Sequence, residues 1–270
     1  MTIEPVTTED LVNIPRLQPE DWQQDITPHF EYYLRLENCL PVKAVINNEI
    51  AGLGCSISFG GTAWLAHIIV HPDYRNRGTG TKIVTSLIDY LKKTPCSTIL
   101  LIATKLGEPV YRKTGFKADT GYLFFRNTGP IKDKSVFPEE IMPFEEKYKD
   151  ELLNLDRKIS GEEREILLNE YLQGSILYTR NNKLTGYYIP SLGNGPVIAD
   201  DPEAGIELMK YKHTTMAVKS AALPVDNSIA VEFLINNGYV ETSRGLRMSL
   251  GKKLNWHPEK LYSRIGGNVG

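Results

Sequence analysis

The sequence predicts an α+β fold present twice in one chain, and three observations carry that reading. The first is length: 270 residues exceed the usual single domain of about 100–200. The second is order. Helical stretches and short apolar runs split by Asn or Gly turns precede a strand–helix–strand–helix–strand series. The third is repetition. Val110-Tyr111-Arg112-Lys113-Thr114-Gly115-Phe116 ends a helix on Gly plus an aromatic, and Phe233-Leu234-Ile235-Asn236-Asn237-Gly238-Tyr239 does the same after a similar series. Each copy is read as a mixed, mainly antiparallel sheet flanked by helices. The expected bounds are 1–127 for the first domain, 128–138 for a linker, 139–251 for the second domain, and 252–270 for a tail docked on the body.

The elements follow in order. Residues 1–40 read as irregular with helical stretches; Ile26, Phe30, Tyr33, Leu34 and Cys39 recur at helical spacing, with Pro28 as a break. Runs at Val42–Val45, Ile50–Ser58 and Ala63–Val70 are strands across turns at Asn47–Glu49 and Gly60–Gly61. From Thr79 to Lys92, Ile83, Val84, Leu87, Ile88 and Leu91 form one apolar helical face. Thr98–Ala103 is a buried strand, Glu108–Thr114 a short helix capped by Gly115, and Tyr122–Arg126 a last strand. Gly129, Pro130 and Pro138 mark the linker. Beyond it, Ile141–Glu170 is charged and helical, Ser175–Arg180 and Leu184–Ile189 are strands across Asn181–Asn182, and Pro196–Ala199 is a short apolar run. Glu203–Lys210 and Ser228–Asn236 are helices, Thr214–Ala217 a strand, and Tyr239–Leu250 a strand pair or one bent strand. Trp256, Leu261, Tyr262 and Ile265 make the tail too apolar to be free, so it adds an edge strand or docks.

Composition excludes several classes. With 31 basic and 33 acidic residues the formal charge is -2, which argues against nucleic acid held by bulk positive charge. Charged residues make up 24% and hydrophobic ones 41%, ordinary for a globular protein. Cys39, Cys55 and Cys96 are odd in number and show no C-x-x-C, so neither a disulfide framework nor a zinc site is indicated, and no metal is expected. No apolar run is long enough for a signal peptide or a membrane span, so a cytoplasmic protein without membrane or nucleic-acid partners is expected.

The stretch that carries chemistry is Val70-His71-Pro72-Asp73-Tyr74-Arg75-Asn76-Arg77-Gly78-Thr79-Gly80-Thr81, between a strand and an amphipathic helix. Gly78 and Gly80 let a ligand approach the backbone. The unpaired N–H groups and positive dipole end of the helix make an anion site there. Arg75 and Arg77 add charge where a phosphate would sit. A P-loop is excluded because no Gly-Lys-Ser/Thr follows, and the dinucleotide fingerprint fails on glycine spacing.

Here the sequence resembles the GNAT superfamily of acyl-CoA-dependent N-acetyltransferases. Their signature, Q/R-x-x-G-x-G/A, is matched by Arg75-Asn76-Arg77-Gly78-Thr79-Gly80, and Tyr111 stands four residues before Gly115-Phe116 as the family's Tyr commonly does. The resemblance covers residues 1–126. Ala63-Trp64-Leu65, Ile102-Ala103-Thr104, Gly107, Arg247-Met248 and the glycine-containing tail are similar to a bacterial subgroup with tandem domains, for which no settled substrate is implied. The resemblance implies acetyl-CoA as cosubstrate. Ile69 and Val70 would offer backbone groups to its pantetheine arm. Arg75, Arg77, Gly78, Thr79, Gly80 and Thr81 would hold the pyrophosphate end. A small-molecule or peptide amine would attack the thioester directly in a ternary complex. It must first become neutral, although a free alkylammonium has a pKa of about 10.4. Tyr111 would be the acid that protonates the leaving thiolate.

The base is the open position. The family often places Glu or His where Trp64 or Ala66 stands here, and neither is a base. His67 is adjacent, but its strand parity turns it away unless a bulge re-aims it. His71 reads as a loop residue. Asp21, Asp25 and Glu31 would attract a cationic acceptor or form a solvated face. In the second copy, Val197-Ile198-Ala199-Asp200-Asp201-Pro202-Glu203 carries acids where the first has arginines, and Leu234 stands in the position of Tyr111. Asp200 or Asp201 before Pro202 reads as a helix N-cap. The second domain is therefore read as degenerate, either helping to form the acceptor site or binding a different ligand. The loop Ser191-Leu192-Gly193-Asn194-Gly195 lines a site or is a plain turn. The rival to an enzyme is a non-catalytic acyl-CoA-binding or regulatory module. Acyl length and oligomeric state are not legible in the sequence.

Overall fold

A computed structural model describes residues 1–18, 25–127, 129, 137–215 and 220–270. Asp21, nearly all of the 128–138 linker, and Met216 and Ala217 of the Thr214–Ala217 strand lie outside the described residues.

The chain divides into two compact units. Unit 1 holds Met1–Ala118, Met248–Lys253 and Gly267–Val269; unit 2 holds Asp119–Arg247, Leu254–Gly266 and Gly270. The units are thus not the contiguous segments expected from the sequence. Strand β12 changes unit at Met248, and the residues after it divide between the two.

In unit 1, β1 (Thr2–Pro5) pairs antiparallel with β2 (Cys39–Ile46), after a 3-10 stretch over Thr8–Leu17 and helix α1 (Thr27–Tyr33). Pro28 does not break α1. It lies in the first turn, where no backbone N–H is needed. β2 pairs with β3 (Glu49–Phe59) and β3 with β4 (Thr62–Val70), both antiparallel. The β2–β3 turn works because Asn47 and Asn48 both take positive φ, at 51° and 64°. Helix α2 (Thr79–Leu91) buries Ile83, Val84, Leu87, Ile88 and Leu91, as its periodicity predicts. Each such side chain contributes about 1.5–3 kcal/mol on burial. β5 (Thr98–Ala103), α3 (Glu108–Lys113) and the first residues of β6 (Lys117–Arg126) follow.

β4 and β5 are parallel, and their register runs through Thr62↔Thr98, Ala63↔Ile99 and Trp64↔Leu100 only. Past Trp64 the two strands part, leaving the Ile68–Val70 backbone on that edge without a β5 partner. Met248–Lys253 also belongs to this unit: Thr98 Oγ1 donates to Lys252 O at 2.9 Å, and Lys252 N donates to Ser97 O at 2.9 Å.

Unit 2 contains β7 (Ile141–Pro143), α4 (Lys149–Ser160), α5 (Glu165–Leu168), β8 (Ile176–Arg180), β9 (Lys183–Tyr188), β10 (Val197–Ala199), α6 (Pro202–Thr215), β11 (Ser220–Pro224), α7 (Ser228–Asn236), β12 (Val240–Gly251, through Arg247) and β13 (Leu261–Ser263). One sheet has the order β13-β10-β9-β8-β7, so the apolar tail does supply an edge strand. β11 pairs antiparallel with β6, from Ser220↔Arg126 to Pro224↔Tyr122. Leu123, Phe125, Tyr178, Val197, Leu208, Leu223 and Leu234 are among its core side chains. The charged stretch Ile141–Glu170 is less helical than its composition suggests. It opens on a strand and breaks at Gly161, where φ is +73°. α6 runs to Thr215, five residues past its expected end, so Thr214 and Thr215 are helical and do not begin the expected strand; the helix buries Lys212 and His213 in its last turn.

Candidate functional site

Four features of unit 1 meet around the end of β4. The first is the helix start. Gly78 caps α2 with φ +83°, a conformation L side chains rarely adopt, and nothing lies within 4 Å of where its Cβ would be. The first intrahelical bond is Lys82 N to Gly78 O at 2.9 Å. The N–H groups of Thr79, Gly80 and Thr81 therefore have no acceptor within the helix.

The second feature is the loop's own scaffold. Arg75 Nε donates to Val70 O at 3.0 Å, Thr79 Oγ1 to Tyr74 O at 3.0 Å, and Tyr74 Oη to Glu49 at 2.7 Å. Arg75 is half-buried and fixes the loop to the strand, whereas Arg77 is exposed and free of such a tie among the described residues. His71 turns inward on its own loop, accepting from Asp73 N at 3.3 Å, as a loop residue would.

The third is α3. A Cβ built on Gly80 would lie 3.5 Å from Val70 and 3.9 Å from Val110. The strand end, the helix start and the residue before Tyr111 therefore converge. Tyr111 is 8% exposed, with its ring edge-on to Phe116 at 5.9 Å. Burial raises its phenol pKa above the ordinary value, so it holds its proton at neutral pH.

The fourth is the bulge in β4. Leu53 pairs with Ile69 and Cys55 with Ala66, so Gly54 faces both His67 and Ile68. His67 takes φ +49°, and its ring lies 5.0 Å from His29 and 5.9 Å from Phe30 of α1. Its Nδ1 is 3.1 Å from Tyr33 Oη, and Asn268 Nδ2 donates to the same hydroxyl at 2.9 Å. Burial, aided by His29, pushes the His67 pKa down to about 4. The bulge that the sequence could only pose as a condition is present. Tyr33, His29 and Asn268 join His67 without having been singled out by sequence. Tyr33 read as one more apolar helix position, and no local pattern ties Asn268 to it.

Other expected residues stay apart from this group. Asp25 is exposed and caps Thr27, accepting from its N–H at 2.9 Å and its hydroxyl at 2.7 Å, bonds that lower its pKa. Glu31 is exposed on α1. Trp64 and Ala66 are buried core residues. Cys55 is buried and Cys39 and Cys96 partly so, and all three are free thiols.

In unit 2 the matching junction is filled by the chain itself. Asp201 Oδ1 accepts from Ala204 N at 3.0 Å, so a carboxylate already caps α6. Asp200 is bound by Lys158 and Lys260, each at 2.6 Å, and Glu203 by Arg180 at 2.7 Å. The Tyr262 ring stands so close to Gly205 that a Cβ there would lie 2.1 Å from it. Leu234, in the position of Tyr111, is fully buried. The loop 191–195 is a clamped turn. Lys212 Nζ donates to Asn194 O at 2.6 Å and Gly195 O at 2.7 Å.

Comparison with known proteins agrees with this geometry. The acetyltransferase (GNAT) family matches residues 8–116, and a second acetyltransferase (GNAT) domain matches 152–263. The chain belongs to the GNAT family, as two domains in tandem. A Pyrococcus horikoshii protein assigned as an acetyltransferase shares the fold over 100% of this chain and 95% of its own, with a TM-score of 0.83 at 20% identity. A GCN5-related N-acetyltransferase of Sphaerobacter thermophilus covers 96% of this chain and 98% of its own, at 0.64 and 13%. No curated protein matches the chain. Among the described residues, no group of His, Cys, Asp and Glu is placed to hold a metal ion, and no helix is long and apolar enough to cross a membrane.

Proposed function

We propose that this GNAT chain transfers an acetyl group from acetyl-CoA to a primary amine, and that unit 1 carries the reaction. The observation behind this is the convergence of Val70, Gly80 and Val110 where β4 leaves β5. A free strand edge and a helix N-terminus with open N–H groups meet there, beside Val110, the residue before the buried Tyr111. The Ile69 and Val70 backbone suits a pantetheine amide. The N–H groups at Gly78–Thr81, with Arg77 exposed beside them, suit a pyrophosphate.

The acceptor nitrogen attacks the thioester carbonyl carbon. The C–N bond forms and the C–S bond breaks. Tyr111 gives its proton to the departing sulfur, and the proton the nitrogen sheds on becoming an amide balances the one Tyr111 lost. The acceptor is a small-molecule or peptide amine.

Two measurements test this. Acetyl-CoA at 100-fold over its Kd should stabilise the protein by about 2.7 kcal/mol in a thermal shift. No shift at millimolar acetyl-CoA would refute cofactor binding. In a thiol-release screen over polyamines, amino acids, aminoglycosides and peptides, Tyr111→Phe should lower turnover by about 10²–10⁴ with acetyl-CoA binding unchanged. Equal turnover would remove the acid role. One observation favours a second reading, a non-catalytic acyl-CoA-binding module: Trp64 and Ala66 put no base where the family often has one. Binding without thiol release for any amine would select it.

A further inference from the structure

We infer that Asn268, acting through Tyr33, holds His67 in its Nε2–H tautomer, so that His67 serves this site as a hydrogen-bond donor and not as the base. The inference rests on the acyl-transfer reading for its purpose, but not for its geometry.

The argument follows from which groups can donate. The amide nitrogen of Asn268 has hydrogens and no lone pair to offer, so at 2.9 Å the Tyr33 oxygen is the acceptor. Tyr33 has a single proton, and among the described residues the other group bonded to its hydroxyl is His67 Nδ1 at 3.1 Å. The phenol therefore donates to Nδ1, which must be unprotonated. A neutral imidazole carries its one proton on the other nitrogen, Nε2.

Neutrality follows from the surroundings. His29, Phe30 and Tyr33 of α1 face the ring. Among the described residues, the titratable groups around the chain are His29, and the Tyr32 phenol and the thiols of Cys39 and Cys55 near Tyr33; none of these is a carboxylate that would favour an imidazolium. Tyr33 is 2% exposed, and burial raises its pKa, so it stays a donor.

A histidine in this state has no free lone pair. Nδ1 is occupied and Nε2 bears a hydrogen, so it cannot take the proton of an incoming ammonium. It can donate to an oxygen, and it stands two residues before Ile69 on the strand proposed to run beside the thioester. Asn268 and Tyr33 are then positioning residues. Gly267–Val269 belongs to unit 1, and its Asn268 ends this chain of bonds.

The test reads the tautomer directly. The full chain is labelled with ¹⁵N-histidine, and long-range ¹H–¹⁵N correlation spectra are recorded at neutral pH. The His67 signals are those absent from His67→Gln. The expected pattern has Nε2 protonated and Nδ1 bare. Asn268→Asp should reverse the chain, because a carboxylate accepts the Tyr33 proton and the Tyr33 oxygen then accepts from Nδ1–H. Tyr33→Phe should shift Nδ1 by removing its donor. A wild-type proton on Nδ1 would overturn the inference, as would an unchanged tautomer in a folded Asn268→Asp.

The spectra need no substrate, so failure of acetyl transfer and failure of the relay are separable. Where the amine screen yields a substrate, Asn268→Asp should add an ionisation to the kcat/KM–pH profile that the wild type lacks. An identical profile would count against the donor role.

Discussion

Replacing the buried Lys212 with Met tests how unit 2 is held together. The Lys212 ammonium is 1% exposed and bonds Asn194 O, Gly195 O and Ser263 Oγ within 2.7 Å. Burial pushes its pKa down to about 7 from 10.5. The neutral amine fits this cage, since two N–H groups serve the two carbonyls and the lone pair accepts from the Ser263 hydroxyl. The unfolded chain keeps the Lys212 proton up to about 10.5, whereas the folded chain releases it near 7. Between those values unfolding takes up a proton, so stability rises with pH. The slope reaches about 1.4 kcal/mol per pH unit and the whole window is worth on the order of 5 kcal/mol. Below about pH 7 the residue is charged in both states and contributes no slope. Lys212→Met removes this dependence and strands two carbonyls, costing about 2–4 kcal/mol near neutrality. Urea unfolding of both proteins from pH 6.5 upward, about four units in all, measures the difference. The wild type should gain on Lys212→Met as pH rises from about 7 toward 10.5, with its smallest advantage at the low end, because the slope belongs to the lysine. Parallel curves across that range would refute a depressed Lys212 pKa.

 

Three further outcomes are expected. Arg77→Gln should raise the acetyl-CoA Kd several-fold and flatten its salt dependence in calorimetry, because this exposed guanidinium sits beside the open N–H groups. Gly205→Ala should lower stability by about 1–3 kcal/mol in denaturant unfolding, since its Cβ would enter the Tyr262 ring. Arg264→Met should leave stability unchanged or raise it. The Arg264 guanidinium lies 4.7 Å over Phe124, its buried Nε finds no acceptor among the described residues, and burial lowers its pKa to about 10. A clear loss of melting temperature would show that stacking on Phe124 outweighs the cost of the buried charge.

Local signals were legible and distant ones were not. The Asn47–Asn48 and Asn181–Asn182 turns could be read because Asn tolerates positive φ, and all four residues adopt it. The α2 face and the Arg75–Gly80 loop could be read because each is contiguous. The apolar run Ala63–Val70 revealed a strand but not its bulge, since one extra residue opposite Gly54 is set by the partner strand. The group around His67 draws on α1, β4 and Asn268, and residues 33 and 268 share no local pattern. Ile141–Pro143 is too short, and too close to charged residues, for alternation to show. The sequence spacing also carried no sign that β12 would divide between the units, because Leu246, Met248 and Leu250 alternate without a break across the division.

That division has a consequence for synthesis. Unit 1 needs Met248–Lys253 and Gly267–Val269 as well as its first 118 residues. A ribosome that has released residues 1–127 has therefore not yet supplied all of it. The edge at β5, where Thr98 and Ser97 meet Lys252, waits for residues made more than a hundred codons later. Tyr33 likewise waits for Asn268. The unit proposed to bind acetyl-CoA begins first and is complete only at Val269, so the nascent chain carries the phosphate loop well before it can carry the finished site.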